Sequence, residues 1–142
     1  MRVFVDSSVL YLAATSPIGR AAALVRLAAM GRFTLCASSH VIEEARRNIV
    51  TRSRTGADDL ERLVQRLERV AEAPAKLVTW AGTHGLGAGD APVLAAAVAA
   101  GVDGLVTADR SSFGHLFGTR PGGVTVASLC EALRFFLERE NR

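Results

Sequence analysis

The stretch Gly87–His115, GAGDAPVLAAAVAAGVDGLVTADRSSFGH, constrains the fold more than any other part of the chain. Asp90 stands at the start of an alanine-rich helix and Gly101 ends it. Gly104–Thr107 reads as a short buried strand, with Asp109 just past it. A helix returning to a strand in an α/β unit runs antiparallel to that strand. The start of the helix and the end of the strand therefore share one edge of the domain, which brings Asp90 and Asp109 together although 19 positions separate them. Two carboxylates at one sheet edge point to a metal site.

The rest of the chain supplies the same alternation. Arg2–Val5 is a short apolar strand that ends at Asp6, and Val9–Ala14 has room for a turn or two of helix. Apolar residues at 21, 24, 25 and 28 carry a helical period over Arg20–Ala29. Phe33–Ala37 is a second strand, after which Ser38 or Ser39 caps a helix running to about Arg52. Asp58–Ala71 reads as an amphipathic helix with Leu60, Leu63, Val64, Leu67 and Val70 on one face, and Pro74 ends it. Lys76–Trp80 then reads as a short strand, Val124–Val126 as the last strand and Ala127–Arg139 as the last helix. Such an order gives an α/β fold, a parallel sheet with helices on both faces, in a single domain over residues 1–142.

Composition narrows the class. With 49% apolar residues in 142, the chain has enough for one real core and is no disordered tail. No apolar run reaches the roughly 18–20 residues a membrane span needs, and the N-terminus reads as a strand rather than a signal peptide. Cys36 and Cys130 belong to no paired motif and read as reduced core thiols of a cytoplasmic protein. The formal charge is +3, carried by sixteen Arg and the single Lys76. Arginine forks suit phosphates, although an Ala- and Arg-rich composition equally reflects genomic base composition.

Parallel α/β sheets build sites at the carboxyl ends of their strands. Asp6 follows the first strand and Asp109 the fourth; Asp90 opens the helix feeding the fourth; Glu44 lies about one turn into the helix after the second. Four acids are thus expected at one edge. Singly, Asp6 and Asp90 also suit helix caps, Asp109 a turn and Glu44 a solvated helix face; their joint placement is what favours a site. Glu43 competes with Glu44. Val41, Ile42, Ala45 and Ile49 mark the buried face, so Glu44 projects at its border and Glu43 toward solvent, which favours Glu44. Clustered carboxylates repel one another and raise each other's pKa. Mg²⁺ or Mn²⁺ relieves that repulsion. Ser8 and Thr107, at the same edge, are suited to orienting an acid or a water. Arg46, Arg47 and Arg110 flank the site as candidate phosphate contacts, with solvated surface arginines the equal alternative. Asp103 falls at the opposite edge. His40, His84 and His115 show no ligand spacing and read as surface or loop residues.

Three segments in this order, VDSSVL, SSHVIEEARRNI and GDAPVLAAAVAAGVDGLVTADRSSFG, resemble the PIN domain, including the VapC-type toxins of bacterial toxin–antitoxin pairs. The resemblance runs from Arg2 to about Leu137, and its most specific piece is the final acid within Leu105–Phe113. It implies a three-layer α/β/α sandwich around a central parallel sheet of four to five strands. It implies a ribonuclease whose Asp6, Glu44, Asp90 and Asp109 bind one or two Mg²⁺ or Mn²⁺ ions, a homodimer, and an antitoxin partner. Ser7-Ser8 stands where many relatives have Thr-Asn or Thr-Ser. The loop THGLGAG before Asp90 lacks an acid that some relatives carry, which leaves a second metal position open.

The leading expectation is therefore a metal-dependent endoribonuclease, in which an ion held by Asp6, Asp90 and Asp109 activates water. Glu44 would hold a further water, hold a second metal, or act as general base. The alternative is a PIN-like module without catalysis that binds protein or RNA. Phosphoryl-transfer α/β proteins fit poorly: a receiver domain needs a late Lys, yet Lys76 precedes the third acid, and a dehalogenase-like phosphatase needs Asp-x-Asp where this chain has Asp6 and Ser8. The apolar faces of Asp58–Val70 and Ala127–Leu137 serve as core or as a partner seam.

Overall fold

The computed structural model describes residues 1–140. Among them, β1 (Arg2–Val5), β2 (Thr34–Ser38), β3 (Glu68–Val70), β4 (Gly104–Thr107) and β5 (Thr125–Ser128) form one sheet in the order β3-β2-β1-β4-β5. Every neighbouring pair is parallel. The helices are α1 (Ser7–Thr15), α2 (Arg20–Ala29), α3 (Ser39–Arg52), α4 (Ala57–Arg66), α5 (Ala75–Gly82), α6 (Ala91–Ala100), the single turn α7 (Arg110–Phe113) and α8 (Leu129–Glu140). No single helix among the described residues is long and apolar enough to cross a membrane.

The central strands are apolar on both faces because helices cover both. Val3, Phe4 and Val5 of β1, Leu35, Cys36 and Ala37 of β2, and Leu105 and Val106 of β4 are all buried. Phe4 sits in register between Cys36 and Leu105 and is fully buried; burying such a side chain contributes about 1.5–3 kcal/mol. Right-handed crossovers place α1–α4 on one face of the sheet and α5 and α6 on the other. Consistent with this, α1 packs on α2, α3 and α4, α2 packs on α8, and α5 and α6 pack on each other. The result is the three-layer α/β/α sandwich with a five-stranded parallel sheet.

Helix α6 shows why its sequence is so poor in large and polar side chains. Ala91, Val93, Leu94, Ala95, Ala96 and Ala97 are buried, so the helix is enclosed on most sides. It stops at Gly101, whose φ of 66° is left-handed and whose N–H reaches back to Ala97 and Val98.

The structure corrects the third strand. Lys76–Trp80 lies in helix α5, and the strand is Glu68–Val70, paired with Cys36, Ala37 and Ser38. Helix α4 correspondingly ends at Arg66, not Ala71. Leu67 and Val70 continue the three- and four-residue spacing of Leu60, Leu63 and Val64, so the helical period runs unbroken across the change of structure. The strand is short, charged and at the sheet edge, where those features discourage further pairing. Its Glu68 receives the Arg2 guanidinium at 2.7 and 3.0 Å. Asp103 lies at the amino edge as expected, its Oδ2 accepting the Arg2 N–H at 2.8 Å. Of the two thiols, Cys36 is buried and pushed up to about 11 by burial and by the neighbouring Glu68 carboxylate. Cys130 is exposed, contrary to the core placement expected of it.

The strand order fixes where a site can form. The chain steps outward from β1 to β2 and β3, then returns past β1 to β4 and β5. Connections leave β1 and β4 in opposite directions, so a crevice opens at the carboxyl ends of these two neighbours.

Candidate functional site

That crevice is a cavity of about 420 Å³ whose lining includes Asp6, Glu44, Asp90 and Asp109, together with Ser8, Tyr11, Asn48 and Arg52. The backbone positions each acid. Asp6 follows β1 and caps α1, Glu44 lies in α3, Asp90 immediately precedes α6, and Asp109 precedes α7.

Asp6 is only 5% exposed and is held from four directions. Oδ1 accepts the Ser8 and Val9 backbone N–H groups and the Ser8 hydroxyl; Oδ2 accepts the Thr107 hydroxyl. Both hydroxyls in turn accept backbone N–H groups from the end of β4. Ala108 N donates to Ser8 Oγ at 3.0 Å and Asp109 N to Thr107 Oγ1 at 3.0 Å. Ser8 and Thr107 thus join the two strand ends through the carboxylate of Asp6. Burial pushes that carboxyl up to about 6; the Ser8 and Thr107 hydrogen bonds oppose the shift and the charge of Asp109 adds to it.

Asp90 and Asp109 differ in what their caps consume. The Asp90 side chain makes no capping hydrogen bond, although it occupies the cap position of α6. Burial raises its pKa, the Ser112 hydroxyl partly offsets this, and Asp109 and Glu44 raise it further. Asp109 does cap its turn: Oδ1 accepts Ser112 N at 3.1 Å and the Ser111 hydroxyl at 2.8 Å. Burial pushes Asp109 up, but its hydrogen bonds to Ser111 and Ser112 outweigh burial and hold it below the usual aspartate value.

Glu44 reaches the cavity while Glu43 does not. Glu44 Oε1 accepts the Ser7 hydroxyl at 3.0 Å. Glu43 is exposed and bonded to Arg46, whose fork also grips Glu61 at 2.7 and 2.9 Å. Arg46, expected as an RNA contact, is therefore committed to this surface network. Arg47 and Arg110 do not line the cavity; Arg110 lies over the Phe117 ring at 5.8 Å.

Among the residues at the cavity that the sequence does not single out are Asn48, Arg52 and Tyr11, with His40 beside them. Asn48 and Arg52 line the cavity one and two turns beyond Glu44, a signal present in their four-residue spacing. Tyr11 faces them from α1. His40, expected on the surface, has Nε2 at 3.0 Å from the Gly89 carbonyl and 3.7 Å from Glu44 Oε2. It ties α3 to the residue before Asp90.

The donor set suits a hard, oxygen-seeking cation. Among the described residues, no three His, Cys, Asp or Glu side chains close on one point as a ready ligand set. Mg²⁺ does not require one, because it is usually bound through one or two carboxylates and keeps several waters. The charge coupling of Asp90 with Asp109 and Glu44, and of Asp6 with Asp109, is what such an ion relieves.

A family model described as the PIN domain matches residues 2–111. Among solved structures, PAE2754 from Pyrobaculum aerophilum is similar at 19% identity and TM-score 0.67, covering 97% of this chain and 96% of that one. VapBC2 from Rickettsia felis, bound to a promoter DNA fragment, is similar at 18% identity and TM-score 0.66, covering 90% and 98%. DNA-bound VapBC from Salmonella typhimurium is similar at 15% identity and TM-score 0.63, covering 92% and 99%. No protein of curated function matches the chain.

Proposed function

The chain belongs to the PIN domain family, and from that premise we propose that it is a metal-dependent endoribonuclease, the toxin of a toxin–antitoxin pair. The observation that carries this reading is the meeting of four acids from four separate segments in one cavity at the switch point of the sheet. Asp90 strengthens it, since a cap-position aspartate that does not cap is kept for something other than helix stability.

In this reading Asp6, Asp90 and Asp109 hold Mg²⁺ or Mn²⁺, and Glu44 supplies the fourth carboxylate. When bound, such an ion supplies Lewis acidity toward water and phosphate oxygen. The protein contributes order. Ser8 and Thr107 fix both oxygens of Asp6, Ser111 and Ser112 fix one oxygen of Asp109, and His40 holds the backbone beside Asp90. Asp6 and Asp109 are therefore already held in place before substrate or metal arrives. Two of the similar structures are VapBC assemblies, which supports an antitoxin partner for this chain. The family resemblance adds a homodimer, and the two free cysteines fit a reducing cytoplasm.

The alternative reading is a PIN-like binding module without catalysis. Incubating a mixed RNA pool with purified protein separates the two. Cleavage in Mg²⁺ or Mn²⁺, absent in EDTA and reduced at least about a hundredfold in Asp90→Asn, is the expected result. RNA left intact under both metals by folded, antitoxin-free protein would transfer the case to the binding module.

A further inference from the structure

Helix α3 presents His40, Glu44, Asn48 and Arg52 at successive four-residue steps, which places them in one stripe along the helix. The last three line the carboxylate cavity, and Tyr11 of α1 lines it opposite them. The cavity is thus longer than the acid cluster and continues as a groove between α1 and α3. Helix rise sets Asn48 about 6 Å and Arg52 about 12 Å beyond Glu44 along the axis.

The chemistry changes along that groove. Near the sheet it is carboxylate; farther out come an amide, a phenol ring and a guanidinium. Arg46 and Arg62 are paired with acids on their own surfaces. By contrast, the Arg52 guanidinium and the Asn48 carboxamide make no hydrogen bond or ion pair among the described residues. An arginine that shares a cavity with four carboxylates and pairs with none of them is available to an anion from outside. A half-buried ring beside it offers a π face, which every nucleobase can stack on.

We propose that the α1–α3 groove is a nucleotide subsite for single-stranded RNA flanking the cut phosphodiester. Arg52 holds a neighbouring phosphate, Tyr11 stacks a base, and Asn48 hydrogen-bonds to that base's edge. The substrate class follows from the groove: a base stacked on Tyr11 is splayed from its neighbours, as in a loop or unpaired strand. This assignment rests on the ribonuclease reading of the acid cluster.

Steady-state cleavage of a short single-stranded oligoribonucleotide in Mn²⁺, repeated across salt concentrations, tests it. Arg52 is exposed near the end of its helix, so its replacement leaves the core untouched. Arg52→Ala is expected to raise KM about tenfold, as loss of a charge-assisted contact would, and to hold kcat within about twofold. It should also lower the salt slope by about 0.7, the share of one phosphate contact on a single strand. Arg52→Lys should recover part of the loss, and Arg134→Ala, an equal charge change on α8, should leave KM and slope unchanged. Active wild type with KM and slope unmoved by Arg52→Ala, or moved equally by Arg134→Ala, overturns the subsite and leaves the ribonuclease reading standing. A loss confined to kcat also overturns the subsite. Wild type that cuts no RNA overturns the ribonuclease reading and the subsite with it.

Discussion

Asp6 is the most deeply buried of the four acids, and the cost of burying its charge shows in the pH dependence of folding. Its folded value, about 6, lies above the ordinary value of 3.8 because burial disfavours the charge. A carboxyl raised in this way binds its proton more tightly in the folded state. Its stabilising contribution is therefore complete below about pH 4 and is lost as pH rises through about 6. At 1.36 kcal/mol per pKa unit the loss is about 3 kcal/mol. Denaturant melts in EDTA should show wild type losing up to about 3 kcal/mol relative to Asp6→Asn between about pH 4 and pH 7.5. Parallel curves for the two proteins would contradict the burial cost. Sequence alone places Asp6 after an apolar strand with the Ser8 and Thr107 hydroxyls at the same edge; which oxygen each one holds, and their bonds to the end of β4, depend on the register of β1 against β4. Helix angle alone favours Glu44 over Glu43; the structure adds that Glu43 is bonded to Arg46.

At the scale of elements, α3 does more than carry one acid. Its first turn is fastened to the loop before α6 by His40, and nothing in the local sequence announces this, because the acceptor is the backbone of Gly89, 49 positions away. Removing that bond should loosen the backbone beside Asp90 without opening the core. We expect His40→Ala to lower kcat about tenfold with KM changed less than about twofold and stability within about 1 kcal/mol. His40→Gln, which keeps a donor, should recover part of the rate; kcat unchanged in His40→Ala would remove the positioning role. The same scale explains what was illegible. Elements with a strong pattern, such as β1, β4 and the alanine-rich α6, could be read directly. The third strand could not, because Leu67 and Val70 obey helical spacing while Glu68 and Arg69 look like a solvated helix face. Only pairing with β2 makes that segment a strand. Lys76–Trp80, rich in strand-forming residues, is a helix packed on α6, where tertiary contact overrides local preference.

For the whole molecule, topology accounts for the site better than any short motif does. The order β3-β2-β1-β4-β5 puts the ends of β1 and β4 side by side, so Asp6 and Glu44 from the first half of the chain meet Asp90 and Asp109 from the second. Solved structures with identities below 20% keep this architecture over nine-tenths or more of the chain, which shows how little sequence the arrangement requires. The proposed function requires the four carboxylates to act together as one divalent-cation site. Calorimetric titration of Mn²⁺ into wild type, Asp90→Asn, Glu44→Gln and Glu43→Gln at neutral pH tests this without any substrate. The expected result is saturable binding to wild type and to Glu43→Gln, weakened at least about tenfold in Asp90→Asn and reduced in Glu44→Gln. No binding to wild type, or equal binding to wild type and Asp90→Asn, would contradict it.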